Sequence, residues 1–253
     1  MKHFPTLLSH EIRMLLVSPA TYFAATLFLA FMGLIFSQIL DQYSGAAQDT
    51  SPAYVFFHLF WLPVCVMVPL LTMKCFAEER RLGTIETLLT TPVTTTEVVL
   101  GKFGAAYLLY LALWATTGGF FYILHKFSAD PRFLDPGPLV GGYVFVAVSG
   151  LFFVAIGVFA SSLTRNQSVA AVLACVMLGM LILGGSVLST SAWLEQDMFQ
   201  PVKTGLEYAR VFTHRDDFTR GIIDTRQLLF YLSGTVVTLI FSILGVEAKL
   251  LHA

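Results

Sequence analysis

Of 253 residues, 56% are hydrophobic and only 12% are charged, with a mean hydropathy of +0.75. A water-soluble domain carries about a quarter charged residues, so an ordinary globular enzyme is excluded. A net charge of −1 gives no basic surface for nucleic acid.

Repeated apolar runs of about 20 residues are long enough to cross a bilayer as helices. The expected fold is therefore all-α, a polytopic membrane protein with six spans forming a single transmembrane domain over residues 1–253. Cys65, Cys75 and Cys175 lie in or beside apolar runs and read as small hydrophobes, not a disulfide framework. The six histidines have no metal-ligand spacing.

Residues 1–19 predict an amphipathic helix in the headgroup region, with Leu8, Ile12, Leu15 and Leu16 as its apolar stripe. The run that follows is too long for a cleaved signal, so it reads as a retained anchor. Spans are expected at about 20–40, 53–73, 103–124, 139–161, 168–190 and 227–246. Pro63 and Pro69 should kink the second. Gly179, Gly184 and Gly185 should let the fifth approach a neighbour. Once their ends are trimmed, the spans hold no Asp, Glu, Lys or Arg apart from Glu247 at the exit of the last. That pattern disfavours a proton-coupled carrier.

Six spans put both termini on one side. With that side cytoplasmic, inner segments hold eight Lys and Arg and outer ones seven; omitting the long 191–226 segment leaves eight against two. The short loops therefore favour cytoplasmic termini.

The chain is organised around the polar stretch Lys74–Gly104. Lys74 to Leu82 can continue the preceding helix out of the bilayer. Gly83 suits the left-handed position after a helix, and Thr84 is a candidate N-cap for a new short helix. Ile85, Leu88 and Leu89 share one face of it, and Glu86 stands in its first turn away from that face. Pro92 ends it. Thr94 to Glu97 then reads as a capping box opening the next span.

Glu79, Gly83-Thr84, Glu86, Leu88-Leu89-Thr90, Pro92-Val93 and Gly101-Lys102 resemble the cytoplasmic coupling loop of type-2 ABC transporter permeases. The turn Ser161-Ser162-Leu163-Thr164-Arg165-Asn166-Gln167 also resembles that family. The resemblance implies a permease dimer, homo- or heteromeric, in the bacterial inner membrane. It implies a separate cytoplasmic ABC ATPase that binds the ATP, the chain itself holding no cofactor. Glu78, Glu79, Gly83, Thr84, Ile85, Glu86, Leu88, Leu89 and Arg165 become the expected ATPase-coupling interface.

The 191–226 segment, with Trp193, Phe199, Leu206, Tyr208, Val211 and Phe212, predicts short interfacial helices. Its run from His214 to Arg226 resembles the region before the last span in gliding-motility-associated permeases. There is no phosphate-binding loop: Phe103 follows Gly101-Lys102, and Thr96 stands where the first glycine would be. An intramembrane metalloprotease is the enzyme alternative, drawn from Glu78-Glu79 and Phe121 to His125. Gly83 replaces its expected arginine, and no later span supplies a second histidine. A non-transporting membrane anchor is the third possibility; it would not need the coupling motif.

Overall fold

The computed structural model describes residues 4–45, 50–83, 93–127, 135–189, 205 and 208–250. The described residues are helical with no strands, as expected. Eleven helices lie among them: α1 Phe4–Val17, α2 Pro19–Gly45, α3 Pro52–His58, α4 Trp61–Thr72, α5 Ala77–Leu82, α6 Thr95–Thr116, α7 Gly118–Phe127, α8 Pro136–Leu163, α9 Gln167–Ser189, α10 Val211–Thr219 and α11 Thr225–Leu250. Six candidate spans follow by length and composition: Pro19–Tyr43, Trp61–Leu82, Thr95–Phe127, Pro136–Leu163, Gln167–Val187 and Thr225–Ala248.

The second span departs from expectation. Its helix breaks outright at Leu59–Phe60, ahead of the two prolines expected to kink it, so the membrane-length piece is Trp61–Leu82. The proline ring of Pro63 would collide with the carbonyl four residues back, which belongs to Leu59. Restarting at Trp61 puts Pro63 in a first turn, where no amide is needed. The same span turns again at Met73–Phe76 before α5, so Lys74 to Leu82 is not a straight continuation.

α8 is the central helix, touching α3, α4, α6, α9, α10 and α11. Asp135 caps it by accepting from the Gly137 amide at 3.1 Å, and Pro136 occupies its first turn. Close approach is achieved by glycines on this helix. A Cβ at Gly141 would run into the Phe218 carbonyl of α10, and one at Gly150 into the Tyr110 ring of α6. Gly179 and Gly184 of α9 meet nothing, contrary to expectation; only Gly185 comes close to a neighbour, at Ala209. α9 instead exposes Val172, Val176, Met180 and Val187 along one side, a face suited to lipid.

On α2, Thr21, Ala24, Phe28, Met32, Phe36 and Ile39 are buried at helical spacing. Phe36 and Phe28 lead into an aromatic cluster: Phe28 meets Trp114 edge-on at 5.2 Å, and Phe56 meets Phe121 at 5.0 Å. Such edge-to-face pairs place positive ring edges against negative faces. Phe121 thus belongs to the core.

Candidate functional site

α6 begins with the expected capping box: Thr94 Oγ1 accepts from the Glu97 amide at 3.3 Å, and Glu97 Oε2 accepts from the Thr94 amide at 3.2 Å. Two turns on, Gly101 and Gly104 face α1. A Cβ at either would lie 3.0 Å from Leu7 Cδ2 or 3.1 Å from Leu8 Cδ1, so their bareness lets α1 lie along α6. The packed face of α1 is Leu7, Leu8, Glu11, Ile12 and Leu15. Leu16, expected in the stripe, is 47% exposed. α1 is therefore docked on a span as well as amphipathic.

That docking creates the site. Lys102 is 3% exposed. Its ammonium donates to Glu11 Oε1 of α1 at 2.9 Å and to Glu79 Oε1 of α5 at 2.6 Å. It also stands 5.6 Å from the Phe76 ring centroid, within cation–π range. The sequence counts Lys102 among the inner-segment charges just before the span expected at 103–124, and its burial is not foreseen there. A buried ammonium is tolerable only when paired and hydrogen-bonded, and two carboxylates from different elements meet that demand.

α5 is fixed from a second side. Ser161 Oγ, at the end of α8, accepts from the Phe76 and Ala77 amides at 3.0 and 3.2 Å. The same hydroxyl donates to the Met73 carbonyl at 3.1 Å. Those amides open α5 and would otherwise lack acceptors. Arg80 Nη2 donates to the Gly245 carbonyl of α11 at 3.2 Å, and Arg165 is near enough to repel it. Gly83 ends α5 in the left-handed region at φ 72°, and its amide reaches the Glu79 carbonyl. A side chain there would strain the backbone.

Of the expected interface residues, Glu79 and Gly83 join this cluster. Glu78 pairs instead with Lys74 at 3.9 Å. Arg165 is exposed beyond α8, beside Arg80. Thr84, Ile85, Glu86, Leu88 and Leu89 lie outside the described residues. The expectation missed Lys102 and Glu11. Two signals pointed to them: a Gly-Lys pair with glycine again three residues on, and a glutamate three and four residues from Leu8 and Leu7.

The opposite end of the bundle holds the run that begins at His214. Its first part lies in α10, which packs into the bundle with Val211, His214, Arg215 and Phe218 buried. Trp193, Phe199 and Leu206 lie outside the described residues, and Tyr208 is exposed. Arg215, 1% exposed, donates to Asp216 Oδ1 at 2.6 Å and to the His58 carbonyl at 3.0 Å. Tyr54 Oη donates to the same Asp216 oxygen at 3.1 Å.

Among the described residues, no group of three or more His, Cys, Asp or Glu could hold a metal. Six helices long and apolar enough to cross a bilayer, packed as one bundle, define an all-α polytopic membrane protein. Residues 6–246 match the family model of the ABC-2 family transporter proteins, and the chain belongs to that family. It is a multi-pass bacterial permease of the ABC type, whose family works with a cytoplasmic ABC ATPase subunit. No curated protein matches the chain.

Proposed function

We propose that this permease receives the work of ATP hydrolysis through the segment after Gly83. The Glu11–Lys102–Glu79 junction passes that motion to the spans. The observation that carries this reading is Lys102 itself, which joins α1, α5 and α6 at the point where α5 ends. A short segment pushed at Gly83 would move α5. α5 is tied in turn to α8 through Ser161 and to α11 through Arg80.

In this reading Ile85, Leu88 and Leu89 dock in the ATPase, with Glu86, Glu78 and Arg165 meeting its charges. ATP is bound by the partner. The whole chain acts as one permease domain, paired as a homo- or heterodimer in the inner membrane, with both termini cytoplasmic. Export or mechanical work is the output. The His214 to Arg226 run supports a gliding-motility type within the family.

The test uses the complex co-purified from cells. Leu88→Asp is expected to lose the ATPase subunit. Glu86→Gln is expected to keep assembly and melting temperature while stimulated ATP turnover falls. Unchanged turnover in an intact complex removes Glu86 from the interface; ATPase retention in Leu88→Asp overturns the docking itself.

A further inference from the structure

At the α10 end, a cavity of about 370 Å³ opens between α10 and the first turns of α11. It lies where the last span begins, at Thr225, the depth at which headgroups meet hydrocarbon. One wall is the His214 ring, and that ring is already committed. Its Nδ1 lies 3.2 Å from Tyr231 Oη, and it also hydrogen-bonds the Tyr208 backbone. Burial pushes its pKa below the usual 6.5, so it stands as a neutral wall.

The remaining lining is of mixed sign. Asp224 supplies a carboxylate, and Oδ1 also accepts from the Arg226 amide at 2.9 Å. Arg226 stands exposed on the rim. Gln227 is 8% exposed, and its Nε2 donates to Asp217 Oδ2 at 2.6 Å. A carboxylate only accepts, so the amide nitrogen must face Asp217. Gln227 Oε1 is thereby turned from it, buried, and without a hydrogen-bond partner among the described residues. The cavity thus offers the Asp224 carboxylate for a cation, a guanidinium for an anion, and the Phe230 ring.

Below Arg226, Leu229, Val236 and Ile240 follow on the same face of α11 and are 65%, 56% and 49% exposed. This makes an apolar track descending from a two-signed cavity. We infer that the cavity seats the ammonium–phosphate headgroup of a zwitterionic phospholipid, with its acyl chains along that track. Asp224 receives the ammonium; Arg226 and the Thr213 hydroxyl receive the phosphate. A purely anionic headgroup would leave the Asp224 side unmatched.

Native mass spectrometry of the full chain in detergent tests this, with phosphatidylethanolamine and phosphatidylglycerol added at equal concentration. Wild type is expected to retain the zwitterionic lipid preferentially. Arg226→Gln and Asp224→Asn should reduce that preference by about fivefold, the effect of one interfacial charge. Asparagine still caps a helix, so Asp224→Asn should melt like wild type without lipid. Equal retention of the two lipids in wild type, or an unchanged preference in both variants, overturns the proposal. Displacement of the retained lipid by free O-phosphoethanolamine would assign recognition to the headgroup alone and admit a soluble source. Failure of that displacement, with the lipid preference intact, assigns the site to the leaflet.

Discussion

Among the described residues, each end of the bundle buries one cation, Lys102 and Arg215, and the two are held differently. Lys102 reaches carboxylates on two other elements, Glu11 on α1 and Glu79 on α5. Arg215 is held by its own neighbour Asp216 and by a carbonyl at the end of α3. An ammonium is a compact point charge, whereas a guanidinium is a planar fork whose bonds demand fixed directions. The α10 end is therefore a clasp: Arg215, Asp216 and Tyr54 lock α10 onto α3. The Gly83 end is a charge junction among three elements that can shift without breaking a directional fork. The contrast matches a molecule driven from one end and braced at the other.

The sharpest way to break the contrast is Lys102→Met. It leaves two partly buried carboxylates without their cation, a loss on the order of 3–5 kcal/mol. The melting temperature of the purified permease should fall strongly. The double variant Glu11→Gln, Glu79→Gln on the Lys102→Met background should recover part of it. Full stability of Lys102→Met would mean that the junction is ornamental.

Arg215→Lys tests the clasp. Lysine keeps the charge but cannot reach both Asp216 and the His58 carbonyl. One charge-assisted hydrogen bond is lost, about 1.5–3 kcal/mol. Denaturation of the detergent-purified chain should show it. A lysine as stable as arginine would mean that charge alone holds α10.

Gly83→Val should cost about 1–2 kcal/mol, because a β-branched residue resists positive φ. It should lower ATP turnover in the assembled complex more than it lowers stability. Equal effects on both would make Gly83 only a helix terminator.

The smallest effect is pH dependence at the α10 end. Burial holds His214 below its ordinary 6.5, with Asp217 and Asp224 opposing. The unfolded chain thus takes up the proton first. Stability is complete above 6.5 and declines as pH falls through 6.5 toward the folded value. Melts at pH 7.5 and 5.5 should differ for wild type and less so for His214→Gln.

The contrast between the ends also shows how much could be read in advance. Gly83 and the Thr94–Glu97 box were legible because capping is local: φ and one turn of hydrogen bonds determine it. Glu79 was legible by resemblance, but not its partner. Lys102 read as a loop charge because a buried lysine looks like a solvated one until Gly101 and Gly104 bring α1 alongside. The burial of Arg215 was not legible for the same reason, since its acceptor at His58 lies 157 residues away in the chain.

By itself, then, the sequence determined the helical class, six membrane-length segments, the caps around the polar stretch, and the family motifs. Each of these depends on composition or on spacing within about a turn or two, so no distant contact is needed. The tertiary structure decided which charges are buried, which glycines are seams, and where the second span begins. Burial and close approach are properties of pairs of helices. Gly141 matters because Phe218 lies over it, whereas no described residue lies over Gly179, and only packing distinguishes them.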